Sequence, residues 1–213
     1  MKKILLFLLF FGIGILGVMG YKLVKKSPGK PIENILQTVT KPVFSVKDAP
    51  SEAVKGTILQ MTGEVRWESR EATEAAQITS PVIVQQGERI QTGENGNLSI
   101  EFPKASLISI SPKTQIDFIQ TLPINFVVDI ASGSASFKKL TDYPVSMRAL
   151  HLLVDQKSGE VSVGVDEENG VVNVNIISGA IMVAFNDVNL VSQVVGFEAP
   201  QRISFNDSSR SFE

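Results

Sequence analysis

From Gly56 onward apolar and polar residues alternate, and a repeat of two belongs to a β-strand, not to a helix. Between Thr57 and Trp67 the odd positions Leu59, Met61, Val65 and Trp67 are apolar, with Gly63 among them. The even positions Gln60, Thr62, Glu64 and Arg66 are polar. This reads as one half-buried strand. The alternation returns with Leu98, Ile100 and Phe102, then Ile108 and Ile110, then Ile116 and Phe118, and again at Ala135 and Phe137. Val161, Val163 and Val165 form one further run and Val172, Val174 and Ile176 another, with Asn169-Gly170 between them. Asn-Gly between two alternating runs is a strong hairpin signal, and Asn95-Gly96 offers a similar turn. Ser178-Gly179 leads into Ile181–Phe185, and a last pair of strands is expected at Leu190–Val195 and Arg202–Phe205. The fold class is therefore mainly β: a compact β-sandwich or a β-roll, solenoid-like domain of about ten to twelve short strands. The one helix-like stretch after Val54, Glu71–Ala76, is short.

The chain before this domain is of another kind. Lys2 and Lys3 precede an apolar run of Ile4, Leu5, Leu6, Phe7, Leu8, Leu9, Phe10, Phe11, Ile13, Ile15, Leu16 and Val18, interspersed with glycines. Tyr21 to Val24 extend the run and Lys25-Lys26 close it. A spanning helix needs about 20 apolar residues, so residues 1–24 are expected to form a signal anchor that crosses the membrane once. A cleaved signal peptide is the alternative, with Val18-Met19-Gly20 as its small-residue site. Lysines flank both ends, and those at 22, 25, 26 and 30 slightly favour a cytoplasmic C-terminal side. Met-Lys-Lys before an apolar run is also the form of a bacterial export signal. The expected location is thus the bacterial cytoplasmic membrane, with the C-terminal domain extracytoplasmic. Residues 25–55 carry Pro28, Pro31, Pro42 and Pro50, and read as a tether, apart from a short helix at Ile32–Thr40.

By this point the motifs from Gly56 to Phe185 resemble the FecR domain, an extracytoplasmic bacterial β-module. Gly63-Glu64-Val65 matches its opening strand. Gly87-Glu88-Arg89-Ile90-Gln91-Thr92-Gly93-Glu94-Asn95-Gly96 matches its most specific segment. Ser106–Ile110, Pro112-Lys113-Thr114, Gly133–Phe137, Val172–Ile176 and Gly179–Val183 follow in the family's order. Lys104-Ala105 stands where the family usually has Asp-Gly. The resemblance implies a β-domain with no catalytic residues to transfer. FecR proteins also use a cytoplasmic helical region to contact a sigma factor. Only Met1 to Lys3 precede the expected span, so that mechanism is not carried over.

Composition narrows the chemistry. The absence of cysteine excludes disulfides, thiolate metal sites and a Cys nucleophile. A net charge of −2 with both signs mixed gives no reason to expect nucleic acid. His151 is the single histidine, a general base in principle and a strand residue by default. Asp166-Glu167-Glu168-Asn169-Gly170 lacks calcium-loop spacing and reads as a solvated hairpin tip. Trp67 reads as a core residue, or else as a stacking platform. Lys138-Lys139 reads as a solvated turn, and Lys25-Lys26 as a contact for anionic lipid or wall polymer. No nucleophile elbow, phosphate loop or dinucleotide motif is present.

No catalytic, cofactor-binding or metal residues are therefore assigned, and the chain is not expected to be an enzyme. The leading expectation is a non-catalytic, membrane-anchored binding or sensing module. It would present a β-scaffold to a protein partner or an envelope polymer. The alternatives are a structural subunit of an envelope assembly, packed through Gly12, Gly14, Gly17 and Gly20, and an envelope hydrolase.

Overall fold

The computed structural model describes residues 52–213. The expected anchor over residues 1–24 and the tether up to residue 51 lie outside them. Seventeen strands follow, with no helix among the described residues. They are β1 Gly56–Thr62, β2 Val65–Glu68, β3 Ala76–Gln77, β4 Ile83–Val84, β5 Arg89–Thr92 and β6 Asn97–Phe102. Next come β7 Ser106–Ile110, β8 Gln115–Leu122, β9 Asn125–Lys139, β10 Val145–Ala149, β11 Leu152–Gln156 and β12 Glu160–Asp166. The last are β13 Val171–Ser178, β14 Ala180–Asn186, β15 Ser192–Glu198, β16 Gln201–Asn206 and β17 Ser211–Phe212.

These strands pair into two ladders. Ladder A runs β4-β1-β6-β7-β9-β12-β13-β16-β17. Ladder B runs β3-β2-β5-β8-β9-β10-β11-β14-β15. All pairings are antiparallel except β9 with β10, so the arrangement is mixed, and it is open. The 15-residue β9 belongs to both ladders. Its first part pairs with β8 and β10, and from Gly133 it pairs with β7 and β12. At that corner Gly133 has φ 77°, and a Cβ there would lie 2.4 Å from both Lys113 O and Thr114 Oγ1. Only glycine adopts this backbone beside such neighbours without strain.

The inward faces of the ladders meet in a single core. Phe102 of ladder A packs on Phe118 and Phe126 of ladder B, with ring centroids 5.1 and 4.9 Å apart. At the far end Phe185 of ladder B meets Phe205 of ladder A at 5.0 Å. Truncating a buried Phe of this kind costs about 3–5 kcal/mol.

Alternation located the buried positions of β6, β7, β8, β12 and β13 correctly. Four expectations are corrected. The single strand expected over Thr57–Trp67 is two strands on opposite ladders. The chain crosses layers at Gly63, where φ is 69° and Asn95 O would stand 2.0 Å from a Cβ. The register slips between Ile58 and Gln60, so Ile58 is buried and Leu59 is 55% exposed. Asn95-Gly96 is likewise a layer crossing and not a hairpin, because β5 lies in ladder B and β6 in ladder A. The two strands expected as a final pair exist but do not pair with each other. β15 joins β14, and β16 joins β13. Glu71–Ala76 forms no helix. The strand number exceeds expectation because the crossings split longer runs and two-residue strands cap the ladder ends.

Candidate functional site

The most specific family-like segment builds the scaffold. Glu88 is buried, and its Oε2 accepts a bond from Trp67 Nε1 at 2.9 Å and another from Gln85 N–H at 2.7 Å. Trp67 is partly buried against the core, in line with its core reading. Ile90 fills the core. Thr92 Oγ1 donates to Ser111 O at 2.6 Å and accepts from Thr114 N–H at 2.9 Å. Thr114 Oγ1 in turn donates to Ser134 O at 3.1 Å and accepts from Ser134 N–H at 2.9 Å. These hydroxyls satisfy the backbone where the chain changes layer, a place where ladder bonds are interrupted. Lys104-Ala105, the departure from the family pattern, still closes the β6–β7 hairpin. Lys104 takes φ 65°, and Ala105 N–H donates to Phe102 O at 3.0 Å.

The residues singled out for chemistry do not converge. His151 lies in the β10–β11 turn, not in a strand, and is exposed. Its Nδ1 is 3.0 Å from both carboxylate oxygens of Asp207. Among the described residues its ring bonds nothing else. Asp166 does cap the β12–β13 hairpin tip, accepting Asn169 N–H at 3.1 Å and Nδ2–H at 2.8 Å. The Asn169 side-chain bond, chiefly, holds its carboxyl below the usual range. Lys138 and Lys139 end a strand and do not form a turn, because β9 continues to Lys139. Lys139 Nζ donates to Gln156 O at 2.8 Å, and burial lowers its pKa. No cluster of three or more potential metal ligands occurs among the described residues.

The outward faces differ in chemistry. On ladder A one transverse row reads Gln60, Ser99, Ser109, Ser136, Ser162, Asn175 and Arg202. A shallow depression of about 250 Å³ lies over its first half. On ladder B one row begins with charge: Glu68, Arg89, Asp117, Asp129 and Arg148. Arg89 bridges Asp117 and Glu68, and Arg148 grips Asp129 through Nε at 2.8 Å and Nη2 at 2.9 Å. The same row then turns apolar through Leu153, Ala184 and Val194.

Val194 stands on β15, the last strand of ladder B. The other three ladder ends each carry a two-residue strand laid on the last long one. β15 has seven residues and, among the described residues, pairs on one side only. Short edges, bulges and charges are the usual protection against unwanted pairing. β15 has none of these along Gln193–Phe197, and Val194 is 62% exposed. The preceding tip is also apolar, with Val188, Leu190 and Val191 exposed. Leu190 is 82% exposed and held at φ 62°. A leucine in the left-handed region costs about 1–2 kcal/mol. Asp187 fixes this conformation, accepting bonds from the N–H groups of Asn189 and Val191 at 2.9 Å each. The Val191 bond, chiefly, depresses its carboxyl pKa. An exposed, strained apolar tip beside an open edge is the candidate interaction surface of the described residues. Sequence reasoning missed it, although apolar residues on both sides of Asn189 in a turn are a visible signal.

No protein-family profile and no curated protein matches the chain. Among solved structures it is similar to two crystal structures of a candidate anti-sigma factor from Parabacteroides distasonis ATCC 8503, at 2.50 and 1.65 Å resolution. The TM-scores are 0.51 and 0.50, both at 16% identity. The likeness covers 59% of this chain and 57% of theirs, so it spans a little over half of either molecule. At this identity it is a likeness of fold.

Proposed function

We propose that the chain is a FecR-like binding or sensing module, anchored in the bacterial cytoplasmic membrane with its β-domain extracytoplasmic. It acts without catalysis, by docking a protein on the β15 edge and the apolar tip before it. The open edge carries this reading. An exposed strand offers unpaired N–H and C=O groups to an added strand, and neighbouring apolar side chains add affinity. The fold-level likeness to a candidate anti-sigma factor supports a regulatory role. The apolar run from Ile4 to Val18 supports the anchor.

Site-specific photo-crosslinking in intact cells tests the docking surface. A photo-reactive residue replaces Val194 in the full chain, and Ser109 on the opposite face in a comparison chain. The expected outcome is a discrete protein adduct from position 194 and none from 109. Adducts from 109 alone would move the site to ladder A, whose hydroxyl and amide row, charged only at Arg202, suits an envelope polymer.

A further inference from the structure

We infer that the occupant of the β15 edge is a second copy of this chain, joined by antiparallel pairing of β15 with β15 about Val195. This rests on the edge being the docking surface and names what docks there.

Backbone parity comes first. Ala199 N–H donates to Gly179 O and Asp187 N–H to Val191 O. Counting in twos through the β14–β15 register from these bonds turns Gln193, Val195 and Phe197 toward β14. Ser192, Val194, Gly196 and Glu198 therefore direct their N–H and C=O groups to the open side. Pairing about Val195 sets Ser192 opposite Glu198 and Val194 opposite Gly196. All four outward residues then bond within the strand. Pairing about Val194 would leave Glu198 beyond the end of β15. Pairing in an odd register would oppose outward groups to inward ones.

Charge selects the direction. Glu198 is the one charged residue of β15. Parallel pairing would set the two Glu198 carboxylates side by side, which is destabilising. Antiparallel pairing places them at opposite ends, about 20 Å apart along the strand.

The side chains agree. On the outer face the apolar half-row Leu153, Ala184 and Val194 of one copy continues into Gly196 and Met182 of the other. Glycine at 196 leaves room for the facing Val194. On the inner face Val195, 37% exposed in the single chain, covers its own counterpart. The contact is isologous and closes at two copies.

The absence of cysteine makes the test direct, because an engineered thiol is the only one present. Opposed Val195 residues form a non-hydrogen-bonded pair, with Cα atoms about 4.5 Å apart, inside disulfide range. Full-length Val195→Cys, oxidised in native membranes, is expected to become mostly disulfide-linked dimer. Gln193→Cys and Ser109→Cys are expected to stay free of the disulfide, since two Gln193 residues would lie about 13 Å apart and Ser109 lies on β7, away from the pairing. Gly196→Pro in the Val195→Cys chain removes an outward donor without touching a β14 bond, and is expected to lower dimer yield at least tenfold. A native circular-dichroism spectrum and a cooperative thermal transition confirm that this second variant is folded. Crosslinking of Val195→Cys no faster than Ser109→Cys overturns the proposal. If position 194 then still captures a different protein, the edge remains the docking surface and only its occupant is wrong. If position 194 captures nothing, both readings fall.

Discussion

The two ends of ladder B share one sheet and one transverse row, yet they are finished in opposite ways. Toward β3 the row is Glu68, Arg89, Asp117, Asp129 and Arg148, and a short strand lies on β2. Toward β15 the row is Leu153, Ala184 and Val194, and nothing lies on the last strand among the described residues. The ends differ in backbone, because β3 caps β2 while no strand lies beyond β15 among the described residues, and they differ in the side chains of the solvent face. One end is built to remain in water, and the other retains an edge and apolar surface that a partner can cover.

Perturbing what both ends share should have the largest effect. Gly133→Val forces a β-branched residue to φ 77° against Lys113 O and Thr114 Oγ1. The expected loss is about 3 kcal/mol or more, read as a collapse of the thermal transition. Next is the closed end alone. Glu88→Ala leaves Trp67 Nε1–H and Gln85 N–H without their acceptor, at an expected cost of about 1–3 kcal/mol in urea unfolding. On the rows themselves the effects should be small and of different kinds. Arg148→Ala breaks an exposed pair worth about 0.2–1 kcal/mol and should leave photo-crosslinking from β15 intact. Val194→Lys should change stability by no more than about 0.5 kcal/mol and yet abolish association through the edge. Equal effects of these two on association would erase the contrast between the ends.

The smallest effect is pH-dependent and local to the tip. The Asp187 pKa is depressed in the folded chain. Its contribution is therefore present above the unfolded carboxylate value, and is lost as pH falls through the folded one. The protection of the Asn189 and Val191 amides, relative to their intrinsic exchange at each pH, should fall at the acid end, below the ordinary carboxylate range, and stay constant above it.

Local alternation made the buried faces of β6, β7, β12 and β13 legible, because each of those strands has one inner and one outer face along its whole length. It did not show where the chain changes layer. At Gly63 the apolar period runs on unbroken through a corner decided by a distant carbonyl, Asn95 O. The pairing of β15 was hidden for a similar reason. Val194 and Val195 read as strand residues, but nothing local says that β16 departs to ladder A and leaves the edge bare. The family-like segment from Gly87 to Gly96 was visible as a motif. Its role in burying a carboxylate and stitching the layer crossing needed the partners Trp67, Thr114 and Ser134.

The most direct measurement is hydrogen exchange of the full chain in native membranes, resolved at Ser192, Val194, Gly196 and Glu198. A paired edge requires slow exchange at these four outward amides, and acceleration at all four in Val194→Lys while Gln193, Val195 and Phe197 stay protected. Fast exchange at the four in the unaltered chain would contradict it, for it would mean that the edge faces water.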